Sequence, residues 1–197
     1  MSAILTRSQR KQATRETLQR AARACFVARG FAGTGIGDIA GAAGVAHGTF
    51  YVHYPSKEAV LDELLAGLNR ELAARIGAAL AAPADLEAAV TAAAGAFLDF
   101  CREHDRLVAC YLERAAGGLD PAAFRDGINP PVAALLRQAL ARAGRGGAEL
   151  ELVTHGLLAL WLRIGLRHLG GAAARADAVR VLTAMTVGAV RALEVQP

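Results

Sequence analysis

The sequence predicts an all-α fold: an N-terminal three-helix, helix-turn-helix head on a larger helical domain, with about nine helices in all. Three observations predict it. Hydrophobic residues make up 54% of the 197 residues but aromatics only 5%, and the Ala-rich balance suits closely packed helices better than sheets. Apolar residues recur at spacings of three and four through most of the chain. Gly and Pro fall between these periodic stretches, where helices must end.

The elements follow in order. From about Ser8 to Arg29, Leu18, Ala21, Ala22, Cys25 and Phe26 form an apolar stripe among Arg10, Arg20, Arg23 and Arg29, which predicts an amphipathic helix. Gly30 can take the left-handed conformation that closes it, and Phe31 can pack back across the cap. Thr34 is a suitable N-cap for a short helix over 35–43, whose stripe is Ile36, Ile39, Ala40 and Ala43. Gly44 ends that helix, Val45 occupies a tight turn, and a third short helix starts at Ala46 or His47 and reaches Val52 or His53. Gly35 and Gly37 then lie inside the second helix, and Ala46 gives the third no side-chain cap.

Ser56 caps a long helix carrying Val60, Leu61, Leu64, Leu65, Leu68, Leu72 and Ile76, which links the head to the remainder and stops before Pro83. Further helices are predicted over 85–104, 107–116, 121–143 (interrupted at Pro130 and Pro131), 148–169 and 175–195. Their separators are Gly-rich runs at 144–147 and 170–171.

Charge is unevenly placed. Through Lys57 the chain has eight Lys and Arg residues against Glu16 and Asp38, a net +6 that leaves −2 for the rest of a chain at +4 overall. A basic first third on a mildly acidic body fits a nucleic-acid-binding head on a non-binding trunk. Cys25, Cys101 and Cys110 are odd in number and sit at apolar helical positions, so they predict no disulfide framework. A metal site built from Cys101, His104 and Cys110 lacks adequate ligand spacing. With no signal-peptide pattern and every apolar run cut by a charge, a cytoplasmic protein that does not enter membranes is expected. There is no P-loop, dinucleotide turn, paired-carboxylate site or nucleophile elbow, so neither catalysis nor a cofactor is expected.

The stretch from Ala22 to Leu61 carries an ordered set of features: Ala21-Ala22 and Phe26, Gly30-Phe31, Thr34, Asp38-Ile39-Ala40, Ala43-Gly44-Val45, Gly48-Thr49-Phe50-Tyr51, His53-Tyr54 and Ser56-Lys57-Glu58. It resembles the DNA-binding head of the TetR family of bacterial transcriptional regulators. The resemblance implies a head over 8–57 that binds double-stranded DNA, and an effector-binding and dimerisation domain over 58–197. On this reading Gly48 lets the third helix approach the duplex, and His47 and Thr49 read base edges. Tyr51, His53, Lys57 and Thr34 hold phosphates. Phe50 and Tyr54, one helical turn apart, pack inward.

The family resemblance further implies a homodimer through the last two helices, where Gly156, Ala159, Gly165, Ala184 and Gly188 would permit close approach. It also implies a pocket for a small apolar effector, for which the bulky candidates are Phe97, Phe100, Cys101, Tyr111, Phe124 and Trp161. The expected function is that of a repressor released from a palindromic operator by such an effector. The alternatives are a dimeric regulator without an effector, or a helical carrier or enzyme for hydrophobic molecules.

Overall fold

The structure, a computed structural model, describes residues 6–81, 85–116, 148–167 and 172–194. Among these are eight helices and no strand: α1 (Arg7–Arg29), α2 (Ile36–Ala42), α3 (His47–His53), α4 (Lys57–Ala81), α5 (Leu86–Glu103), α6 (Asp105–Ala116), α7 (Ala148–Arg167) and α8 (Ala172–Glu194). The helix expected over 121–143 lies outside the described residues. Two compact units are present, one of residues 6–67 with 106–116, the other of residues 68–105 with 148–167 and 172–194.

In the first unit, α1 opens on a capping box. The Thr6 hydroxyl accepts from the Gln9 N–H at 3.2 Å, and the Gln9 side chain accepts from the Thr6 N–H at 2.7 Å, satisfying donors that a helix start leaves orphaned. Gly30 closes the helix with φ 74° and ψ 174°, an extended positive-φ region open essentially to glycine alone and not the expected left-handed helical one. Phe31 packs on Phe26 at 5.6 Å between ring centres. Gly44 ends α2 at φ 66°. Its N–H bonds the Gly41 carbonyl at 3.1 Å and that of Val45 bonds Ala40 at 3.0 Å, the paired bonds of a Schellman closure.

Leu18, Ala22 and Phe26 of α1, Ile39 of α2, Phe50 of α3, Val60 and Leu61 of α4 and Leu107 of α6 form the core, each 2% exposed or less. This unit reaches beyond Lys57 because Val60 and Leu61 are as deeply buried as the residues of α1. It includes most of α6, whose Cys110 thiol donates to the Phe26 carbonyl at 3.7 Å.

In the second unit, α5 and α8 are joined by Arg175, which donates through Nε and Nη2 to the two oxygens of Asp99 at 2.8 and 2.6 Å. That guanidinium holds the Asp99 carboxyl below the usual carboxylate range. The hydroxyls of Thr91 and Thr183 meet at 3.2 Å. Helix α7 packs tightly on α5 at Gly165, where a Cβ would lie 2.6 Å from Phe97 Cε1 and 3.0 Å from Cys101 Sγ. Gly165 therefore packs inward within the chain and is not a small residue reserved for a second subunit. Overpacking such a contact costs about 1–3 kcal/mol. Gly165→Ala is expected to lower the urea midpoint accordingly, and an unchanged midpoint would show that α7 stands farther from α5.

Candidate DNA-binding site

Helix α3 is held from behind and bare in front. Phe50 and Tyr54 are 0% and 1% exposed, with ring centres 5.9 Å apart, so both pack inward as their spacing predicts. His47 and Gly48 are exposed and Thr49 half-buried, while Tyr51 and Val52 are 51% and 67% exposed. The His47 and Tyr51 rings meet edge to face at 5.5 Å, one turn apart along the same ridge. A Cβ placed on Gly48 would meet nothing within 4 Å, so no packing within the described chain requires glycine there. Its absence of a side chain clears space on the outward face alone.

The start of α2 differs from expectation. Gly35, not Thr34, is its N-cap, and Asp38 accepts from the Gly35 N–H at 2.9 Å. Gly35 is thus outside the helix interior, where it would have weakened the helix more. The Gly35 N–H, followed by Arg29 at 2.6 Å, holds the Asp38 carboxyl below the usual range. Thr34 is 1% exposed, and its hydroxyl donates to the Gly30 carbonyl at 2.8 Å. It closes the turn from within and offers no hydroxyl to a phosphate.

Lys57 also turns inward. Its Nζ donates to the carbonyls of Phe31 and Thr34, each at 3.0 Å, and lies 4.4 Å from the centre of the Phe31 ring. An ammonium has three donors, so one remains for an outside acceptor. The family resemblance implies a phosphate ligand at Lys57; the structure makes it a fastener between the start of α4 and the α1–α2 turn.

A residue that sequence reasoning passed over fixes the far end of α3. Arg15 donates to the His53 carbonyl at 2.8 Å, pairs with Glu63 of α4 and lies 4.2 Å over the Tyr54 ring. One side chain thereby ties three helices and satisfies a terminal carbonyl of the shortest of them. The Arg15 ion pair pulls the Glu63 carboxyl down, while burial, then the Glu63 carboxylate, pushes the Tyr54 hydroxyl up to about 12.

His53 itself is half-buried, and its Nδ1 is buried without a hydrogen-bond partner. Burial, then the charges of Lys11 and Arg15, hold its pKa below the ordinary 6.5. A depressed histidine stabilises the fold fully above the unfolded value and less as pH falls through the folded one. Acidification from pH 7 to 5 is therefore expected to lower the melting temperature less in His53→Gln than in the parent protein. Equal falls in the two proteins would show that His53 is not the group responsible.

In the second unit an apolar slot lies between Ile76 and Leu80 of α4, Val90 and Ala93 of α5, Leu157, Leu158 and Trp161 of α7, and Thr186 of α8. Its free volume is about 40 Å³, room for roughly three water molecules. Of the candidate pocket residues, Trp161 lines it, donating through Nε1 to the Thr186 hydroxyl at 3.0 Å, and Phe97 backs Trp161 at 5.5 Å. Phe100 and Cys101 are buried away from the lining. Phe100 meets the tilted His104 ring at 4.6 Å between centres. Cys101 faces Gly165, and burial raises its thiol to about 12. Tyr111 and Phe124 lie outside the described side chains.

Among the described residues, the one group with metal-ligand geometry is Glu71, Glu103 and His104. The Arg75 guanidinium already occupies it, 2.5 Å from Glu71 and 2.7 Å from Glu103. Neither Cys101 nor Cys110 joins that group. No described helix is long and apolar enough to cross a membrane.

Comparison with known proteins agrees with this geometry. Residues 18–64 match the profile of the bacterial regulatory proteins of the tetR family. The HTH-type transcriptional repressor KstR2 of Rhodococcus jostii (strain RHA1) is 38% identical over 85 residues, 41% of this chain and 42% of that protein. The chain thus matches under half the length of this curated relative. The structure of the ketosteroid transcriptional regulator KstR2 of Mycobacterium tuberculosis is similar at a TM-score of 0.57 and 25% identity, over 88% of this chain and 93% of that one. A TetR-family transcriptional regulator from Pectobacterium atrosepticum shares the fold, with a TM-score of 0.69 at 23% identity over 98% and 100% of the two chains. Residues 18–64 are thus similar to the bacterial regulatory proteins of the tetR family, and the chain shares its fold with such regulators.

Proposed function

We propose that the protein is a homodimeric transcriptional repressor whose paired heads bind a palindromic operator and whose second unit binds a small apolar effector. The observation that carries the reading is the front of α3, where His47, Gly48 and Tyr51 are exposed and Thr49 is half-buried beside them. Thr49 and His47 are assigned to base edges, and Tyr51, His53 and the remaining Lys57 donor to phosphates.

Dimerisation through α7 and α8 is supported by the exposed apolar residues Leu152, Val181 and Met185. Gly156 and Gly188 add to that support, since a Cβ on either would meet nothing within 4 Å. One short helix reads few bases, and two heads related by a two-fold axis read half-sites about one helical turn apart, or a multiple of it.

The slot beside Trp161 favours an uncharged, largely hydrocarbon effector, because none of the described side chains lining it is charged. Similarity to a ketosteroid regulator supports the same class. Ligand pockets are ordinarily about 300–1,000 Å³, so an effector of that size would have to part α4 from α5, α7 and α8 on entering. Strain of that kind is what couples a ligand to the heads, and by reciprocity operator DNA weakens effector binding by the same factor.

Selecting bound duplexes from a random pool tests the reading. The expected product is an inverted repeat with two half-sites. A single unrepeated site contradicts the dimer, and a pool without enrichment contradicts sequence-specific binding.

A further inference from the structure

We propose that the N-terminal overhang of α1 is a second DNA-contact surface, on which Arg7, Arg10 and Lys11 grip the sugar–phosphate backbone outside the base pairs read by α3. The proposal rests on the DNA-binding reading of the head and adds a part of the chain outside the helix-turn-helix.

Positions 7, 11, 14, 18, 22 and 25 follow one another at spacings of three and four and so form a single stripe along α1. From Leu18 onward that stripe is the buried one: Leu18, Ala22 and Cys25 are 0%, 0% and 7% exposed. Toward the N-terminus the same stripe turns basic. Arg7 and Lys11 lie on it with Arg10 beside them, and all three are exposed. The face that seats α1 on the head thus runs on past the core and there carries exposed cations.

Arg15 marks the border. It is used internally, through Glu63 and the His53 carbonyl, and it sets this part of α1 beside the C-terminal end of α3. Lys11 is close enough for its charge to bear on His53. The overhang therefore lies beside the C-terminal end of α3, at His53.

Charge and order favour a polyanion. The first turn of α1 contains no acid, and the nearest acid along the helix, Glu16, accepts from the Gln12 amide at 2.9 Å. The Thr6–Gln9 capping box holds the cations on a formed helix before any partner arrives. Four residues of helix span about 6 Å, against about 3.4 Å of axial rise per phosphate of one strand. The patch thus faces about two phosphates.

The test is a fluorescence-anisotropy titration of the full chain and of Arg7→Gln/Arg10→Gln/Lys11→Gln. The probe is a duplex of about 40 base pairs selected from a random pool by the parent protein, titrated from 50 to 300 mM KCl. Each phosphate contact contributes about 0.9 to the slope of log affinity against log salt, so with about two phosphates per patch the triple variant is expected to flatten it by up to about 1.8 for each bound head. Its preferred sequence and melting temperature are expected to stay unchanged, and trimming the duplex to the selected core should abolish its disadvantage. A control that removes the same charge elsewhere, Arg70→Gln/Arg102→Gln/Arg163→Gln, is expected to keep the parent slope.

Equal slopes for the triple variant and the parent would overturn the proposal while leaving the reading of α3 intact. Equal flattening by the control would overturn it as well, by showing an effect of net charge alone. A parent protein that binds no duplex overturns the reading of the head and this proposal together. Loss of slope confined to binding an acidic polypeptide would reassign the patch to a protein partner.

Discussion

Gly48→Ala is expected to make the protein more stable and a worse DNA binder. Glycine in a helix is disfavoured against alanine by up to about 1 kcal/mol, Gly48 is the second residue of α3, and the added methyl meets nothing within 4 Å. For a chain of this size that gain raises the melting temperature by about 2–4 °C. The same methyl stands on the front of α3, where it holds the helix away from the groove. Gly48→Leu carries the argument further, with an expected loss of affinity on the order of a hundredfold and no loss of stability. If both variants bound DNA as tightly as the parent, the front of α3 would not be the face that meets the duplex.

Lys57→Met is expected to act in the opposite manner, harming stability and binding together. The two carbonyls that Lys57 joins belong to Phe31 and Thr34, on either side of the turn that delivers α2. Hydrogen bonds to a charged group contribute about 1.5–3 kcal/mol each, and partial exposure discounts that for Lys57. A loss of about 2 kcal/mol is therefore expected, read as a lower urea midpoint at an unchanged slope. Methionine keeps the stem that packs on Phe31, so the loss isolates the ammonium. If stability were untouched while the salt dependence of DNA binding flattened, Lys57 would be a phosphate ligand alone, as its sequence position implied.

These two residues show which parts of the site the sequence makes legible. The exposed position of Gly48 on α3 could be read from the sequence because it is local, fixed by its place in a short helix. The closures at Gly30 and Gly44, the Ser56 cap, whose hydroxyl accepts from the Ala59 N–H at 3.3 Å, and the inward pair Phe50 and Tyr54 are local in the same sense, although Gly30 closes α1 in an extended positive-φ conformation and not the left-handed helical one. Lys57 is different, since the direction of its side chain depends on a turn more than twenty residues upstream. Arg15 is further out of reach, because its partners His53 and Glu63 are 38 and 48 residues away. Nothing in the pattern around Arg15 distinguishes it from the other arginines of α1.

Thr34 and Gly35 mark a finer limit. Both are acceptable N-caps, and the choice turned on which residue took the extended conformation beside Asp38. The slot in the second unit lay beyond the sequence for a geometric reason. The sequence identified the stripes of α4, α5 and α7 as apolar without giving the angle at which they converge. Bulk alone therefore suggested Phe100 and Cys101, whereas the lining comes from Ile76, Leu80, Val90 and Leu157.

The central claim is that α3 reads base sequence through His47 and Thr49. Parallel selections from one random duplex pool, with the parent protein, His47→Ala and Thr49→Ala, test it most directly. Each substitution is expected to relax the preference at one or two symmetric positions of the half-site, at about 1–3 kcal/mol per base pair, while the spacing of the half-sites stays fixed. Three identical consensus sequences would contradict the account and move the reading of sequence away from the front of α3.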